Sequence, residues 1–285
     1  MRFSINVPNF GDFADAEAIT TLATAAEQSG WDGLFIWDHM VHDKRKRVGV
    51  PFGDPWMLLT VAALATSRIR IGPLVTPVAR RRPEQLARQV ATLDAMSNGR
   101  VIFSAGLGGP IDDEFGSFGE PTDPILLAER LDEGLGLLER YWTGETVNHN
   151  GRHYHVDDIS LLPATVQRPR PPVWIGGFWP NRAPMRRAAR WDGVVPLFAN
   201  ARHGFVPAVD EVRELIAYVG RYRETPFEVV LGGASPGDPA KAADLIGPLA
   251  DAGATWWDER NPQTEDDFYR LEPVLRRVEQ GPPAL

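Results

Sequence analysis

Residues 69–106 open with Ile69-Arg70-Ile71-Gly72-Pro73-Leu74-Val75-Thr76-Pro77 and close with Val101-Ile102-Phe103-Ser104-Ala105-Gly106. Between these two short apolar runs lies a longer segment, 83–96, of helical periodicity. Parallel strands joined by a helical crossover give this pattern. The same alternation fills the chain. Strand-like runs are predicted at 2–7, 33–37, 69–75, 101–106, 173–176, 193–197, 227–232 and 255–258. Helices are predicted at 14–29, 55–65, 83–96, 124–141, 181–189, 207–222, 239–252 and 265–279. Several begin with proline after an aspartate, as at Asp54, Asp123 and Asp238, where a fixed φ and a missing N–H suit a first helical turn. Eight alternations without a break in composition predict one closed (β/α)8 TIM barrel, a single domain over residues 1–285, rather than an open doubly wound sheet.

The stretch 144–172 is too long for a simple connection. It contains Asn150-Gly151 flanked by alternating residues, which predicts a β-hairpin with a type I′ turn inserted before the fifth strand.

A formal charge of −8 disfavours non-specific nucleic-acid binding and points to small-molecule partners. The absence of cysteine excludes disulfides, thiolate metal sites and cysteine nucleophiles. Without a signal-like start or an apolar run near the roughly 18 residues of a membrane helix, a cytoplasmic location with no membrane partner is expected.

A barrel builds its active site at the carboxyl ends of its strands. The second strand ends Trp37-Asp38-His39; a histidine there can exchange protons near neutral pH, with Asp38 tuning it or touching a ligand. Thr76 follows the third strand, and Gly106-Leu107-Gly108-Gly109 the fourth, offering a hydroxyl and close backbone approach to a planar ligand. Gly176-Gly177-Phe178-Trp179 leads into a helix start with Arg182, a phosphate cradle in competition with Gly232-Gly233-Ala234-Ser235. Phe10, Trp56, Phe178, Trp179 and Phe198 suggest an apolar or aromatic lining. Lys44-Arg45-Lys46-Arg47 and Arg80-Arg81-Arg82 are either a solvated face or a positive rim that attracts an anion. His149, His153 and His155 lack the supporting aspartates of a metal site, so no metal is assigned. The only lysines, Lys44, Lys46 and Lys241, are not at strand ends, which excludes a Schiff-base aldolase.

Trp37-Asp38-His39, Ile69 through Pro77, Leu93-Asp94-Ala95-Met96-Ser97-Asn98-Gly99-Arg100, Asp113-Glu114-Phe115 and the carboxyl-terminal Ala252-Gly253-Ala254-Thr255-Trp256-Trp257 occur together over nearly the whole chain. In this the sequence resembles the luciferase-like flavin- and deazaflavin-dependent oxidoreductases. The resemblance implies a ring of coenzyme F420 or FMN across the barrel mouth, backed by a bulge at Pro73, Leu74 and Val75 with a non-proline cis peptide at Pro73–Leu74. It implies ring or phosphate contacts at Asp38, His39, Thr76, Gly106, Asp112, Gly176 and Gly177, to which Gly108, Phe178 and Arg182 are added as cofactor contacts from their place after the strand ends, with His39 as the catalytic residue. The chemistry implied is hydride transfer, or monooxygenation with reduced FMN supplied by a separate reductase, in a homodimer. Sugar-phosphate dehydrogenases of this type carry a glutamate where this chain has Gly109 and a tryptophan where it has Asp43. The alternatives are a flavin-binding barrel without catalysis and a cofactor-free barrel isomerase.

Overall fold

The Asp-Pro punctuation sets the helix starts. In the computed structural model, which describes residues 1–199, 205–260 and 268–285, Asp54, Asp123 and Asp238 accept hydrogen bonds from backbone N–H groups of the first turns they precede. Each such cap stabilises its helix by about 1 kcal/mol. The elements run β1 (Arg2–Val7), α1 (Ala16–Gln28), β2 (Gly33–Ile36), α2 (Pro55–Ala65), β3 (Arg70–Pro73), β4 (Thr76–Pro77), α3 (Pro83–Met96) and β5 (Phe103–Gly106). They continue with α4 (Ile111–Glu114), α5 (Pro124–Thr143), the antiparallel pair β6 (Val147–Asn150) and β7 (His155–Ile159), then β8 (Val173–Trp179), α6 (Arg182–Ala188) and β9 (Gly193–Phe198). The chain closes with α7 (Val209–Val219), β10 (Glu228–Gly233), α8 (Pro239–Asp251), β11 (Trp256–Glu259) and α9 (Leu271–Glu279). The predicted start of the last helix, 265–267, lies outside the described residues.

The main sheet is parallel, in the order β3-β2-β1-β11-β10-β9-β8-β5-β4. β3 and β4 are two halves of one strand position. The first half pairs with β2 and, through the Ile71–Val101 bridge, with the lead-in to β5; the second pairs with β5 at Thr76–Ala105. Eight strand positions therefore close into the (β/α)8 barrel.

Alternation divides the side chains between two cores. Phe35, Leu74, Ile102, Trp174, Val195, Val230 and Trp256 fill the barrel interior, and a larger cluster lies between strands and helices. Trp56, expected in the site lining, is in that outer core against Phe103, because it sits on the buried face of α2.

The hairpin exists, but not with the predicted turn. Asn150 pairs with His155, so residues 151–154 form a four-residue loop, closed by the Gly151 N–H donating to Tyr154 O. The Glu133 carboxylate of α5 accepts from the His153 and Tyr154 N–H groups and bonds His149 Nε2. A Cβ on Gly151 would lie 1.9 Å from Glu133 Oε1, so this glycine serves close approach to a carboxylate rather than positive φ.

Candidate active site at the carboxyl ends of the strands

The chain crosses from β2 into the mouth at Trp37-Asp38-His39, where Asn9 clamps it. The Asn9 amide donates to His39 O at 2.7 Å and Gly53 O at 2.8 Å, while its oxygen accepts from the His39 N–H. His39 Nδ1 lies 2.7 Å from Oε1 of Glu114, a fully buried carboxylate that also accepts from the Met40 N–H and pairs with Arg80. Burial pushes His39 down to about 4; Asp38 opposes this, and Arg80 and Arg47 add to it. Glu114 also favours the imidazolium, but Arg80 sits on the same carboxylate and neutralises much of its field, so burial wins. The imidazole is thus neutral at pH 7. With Nδ1–H donating to Glu114, Nε2 is left as an acceptor, on a side chain 18% exposed. His42, with its ring 4.6 Å from that of His39, is held down to about 3 by burial, then by His39 and Arg47.

Asp38 faces inward, but its carboxylate is committed. It accepts from Thr76 Oγ1 at 2.9 Å and from the Arg80 and Arg81 guanidinium groups. Neither reading of the 80–82 cluster holds: Arg80 and Arg81 form a buried ion-pair network with Asp38 and Glu114, and only Arg82 is a surface residue, paired with Glu84. In the 44–47 cluster, Lys44 pairs with Asp113 and Lys46 with Asp43, while Arg47 lies over the rings of Phe10 and Phe268.

The cis peptide is one bond further along than expected, at Leu74–Val75. The β2–β3 ladder continues through the Leu74 N–H, which donates to Ile36 O, and Leu74 belongs to the interior cluster, so the register breaks only after it. Val75 then turns over two glycines. Cβ atoms on Gly106 and Gly176 would meet its γ-methyl groups at 2.6 and 2.9 Å. The space over Gly232 is taken by the Arg260 guanidinium, which lies 2.4 Å from the place of a Cβ and pairs with the buried Asp258.

The remaining predicted positions scatter. β8 extends three residues beyond its expected end, to Trp179, with Trp179 paired to Phe198. Gly177 faces outward, where a Cβ would strike Pro184, so it serves the packing of α6. Phe178 is 40% exposed. The Arg182 guanidinium is stacked over Trp179 and Tyr218, at 4.5 and 4.4 Å, on the helix side of the strand. Gly108 has φ +86 and lies against Pro77, and Asp112 is exposed in α4. Ser235 of the competing cradle is bonded to Glu259.

The model of the luciferase-like monooxygenase family matches residues 1–259. The chain belongs to that family. It is 33% identical over 179 residues to an F420-dependent glucose-6-phosphate dehydrogenase of Nakamurella multipartita, covering 60% of this chain and 51% of that protein. A protein of the same name from Beutenbergia cavernae is 29% identical over 225 residues, covering 79% and 59%. The chain thus spans little more than half the length of these relatives. Among solved structures it is similar to the coenzyme F420 dependent tetrahydromethanopterin reductase of Methanopyrus kandleri (TM-score 0.77, 17% identity, covering 98% and 96% of the two chains). It is equally similar to the oxygenating constituent of 3,6-diketocamphane monooxygenase of Pseudomonas putida, in complex with FMN (TM-score 0.76, 15% identity, covering 98% and 96%). At these identities the likeness is one of fold.

For this luciferase-like barrel, the Val75 platform over Gly106 and Gly176, beside the Thr76–Asp38 pair, suits a flat ring: it is apolar, half-buried and free of side chains rising from either glycine. Glu114 and Arg260 were not singled out for the site from sequence, and Arg80 entered only as part of a charged rim, not as a partner of Asp38 and Glu114. Glu114 lies 75 residues from His39 and carried only a motif match, and nothing local signals that it folds back onto the histidine.

Proposed function

We propose that the chain is an oxidoreductase that uses coenzyme F420 or FMN and acts on a small organic substrate, with His39 exchanging the proton. The reading is supported above all by a neutral imidazole fixed through Nδ1 by a buried carboxylate, with Nε2 left to accept. When bound, the cofactor ring supplies the hydride acceptor or donor. In the oxidising direction the Nε2 lone pair takes the hydroxyl proton of an alcohol while the hydride leaves its carbon. Glu114 is a positioning residue: it selects the tautomer and orients the ring. Val75, Gly106 and Gly176 would form the ring's support, and Asp38 with Thr76 would hold that support in place.

F420 is favoured over FMN because the curated relatives are named for it. A sugar phosphate is not carried over with it: Gly109 offers no side chain, and Asp43 is paired with Lys46. Hydride transfer to or from a simpler alcohol or ketone fits the neutral histidine. The proposal further takes residues 1–285 as one luciferase-like domain in a cytoplasmic homodimer, with a separate reductase as partner and no nucleic-acid or membrane ligand; no helix among the described residues is long and apolar enough to cross a membrane.

Absorbance and fluorescence titration of the purified protein with F420 and with FMN tests the cofactor. Turnover of secondary alcohols by wild type and His39→Ala tests the role of the histidine, with an expected loss of about 10²- to 10⁴-fold. Uptake of neither ring, or unchanged turnover in the variant, rejects the reading.

A further inference from the structure

A large cavity among the described residues lies at the wrong end for this chemistry. It measures about 800 Å³ and opens where the strands begin, with Arg2 of β1, Arg70 of β3, Trp174 of β8 and Glu228 of β10 on its wall. Five guanidinium groups line it, those of Arg2, Arg70, Arg168, Arg170 and Arg223, against two carboxylates, Asp192 and Glu228. On a chain of formal charge −8, this concentration of positive charge is local and only partly compensated.

The arginines divide into two groups. Arg2 pairs with Glu228, and Arg170 with Asp192 and Glu139. Arg70, Arg168 and Arg223 have no carboxylate within salt-bridge distance among the described residues. Arg70 donates to Gly99 O at 2.8 Å and to Gln167 at 3.3 Å; Arg168 donates to Thr165 O; Arg223 donates to the carbonyls of Thr225, Trp191 and Pro226. Carbonyl oxygens fix the position of a guanidinium without cancelling its charge. Burial first, and then the charge of Arg2, hold Arg70 below its ordinary value. The wall also includes Ile102 and Trp174, and the buried Trp174 indole N–H has no acceptor among the described residues.

We propose that this amino-end cavity is a second ligand site, for a small polyvalent phosphate anion. The donors come from separate segments around the ring of strand starts, which suits the three-dimensional spread of phosphate oxygens better than a planar carboxylate. The site is independent of the chemistry proposed at the opposite mouth.

The test is a titration of the full chain with inorganic pyrophosphate, read by tryptophan fluorescence, which Trp174 reports from the cavity wall. Saturable binding is expected, weakened about tenfold in the Arg2→Gln/Arg168→Gln double variant and unchanged in Lys44→Gln/Lys46→Gln at the other mouth. Glu228→Gln removes a counter-charge and should tighten binding several-fold; it decides the matter if the double arginine variant does not fold. Absence of saturable binding, equal binding of citrate, or sensitivity to the lysine variant instead of the arginine variant overturns the proposal.

Discussion

Replacing Glu114 with glutamine changes one atom and should disable the site. The carboxylate has no exposed surface, and it serves His39 Nδ1 at 2.7 Å, the Met40 N–H at 3.2 Å and the Arg80 guanidinium. An amide turns one of its two oxygens into a donor. If the NH2 faces Arg80, two donors meet and a buried ion pair is lost. Removing one partner of such a pair costs about 3–5 kcal/mol, and because Asp38 still holds Arg80 the lower end, about 3 kcal/mol, applies. A melting temperature lower by about 6–12 °C follows for a chain of this size. If the NH2 faces His39 instead, Nδ1 must become the acceptor, Nε2 carries the proton, and the base is lost. A wrong tautomer in a comparable histidine–carboxylate pair costs about 10⁴ in turnover. Glu114→Gln should therefore melt about 6–12 °C lower in the first orientation, or lose at least about a hundredfold in kcat with little change in KM in the second, measured as steady-state turnover beside a thermal melt. A variant that melts with wild type and turns over within twofold of it would refute the claim that Glu114 holds His39.

Three further outcomes follow from the same contacts. His39 has its folded pKa depressed, from 6.5 to about 4, so the unfolded chain takes up the proton first as pH falls. His39 should therefore contribute a drop of up to about 3 kcal/mol between pH 6.5 and 4, and urea unfolding across that window should find the slope reduced in His39→Gln, with the contribution of the depressed His42 remaining. Gly106→Ala places a Cβ 2.6 Å from Val75 Cγ2, which should cost about 1–3 kcal/mol and weaken cofactor uptake; Val75→Ala in the same chain should restore both, and failure of that rescue would remove Val75 from the platform. Gly151→Ala drives a Cβ into the Glu133 carboxylate and should destabilise by about 1–3 kcal/mol in denaturant melts while turnover per folded molecule stays unchanged.

The Asp-Pro helix starts and the alternation of apolar runs are local signals, and they carried the barrel, the strand order and the position of His39 at a strand end. Gly106 and Gly176 were legible as glycines at strand ends, whereas the bulge near Leu74 came only with the family resemblance and was placed one bond early. The Asn150-Gly151 turn misled for a physical reason: a two-residue preference is weak beside the hydrogen bonds that Glu133 offers the loop from another element.

What the amino-acid sequence determined by itself was the periodicity of each segment, and from it the fold, because side-chain direction in a strand or helix repeats with the local backbone. Only the tertiary structure decided the partners of charge. Glu114 is 75 residues from His39, and Arg80 is 42 from Asp38. No local pattern fixes which carboxylate meets which cation; closure of the barrel does, by burying them in one place where each must find a partner or lose its solvation.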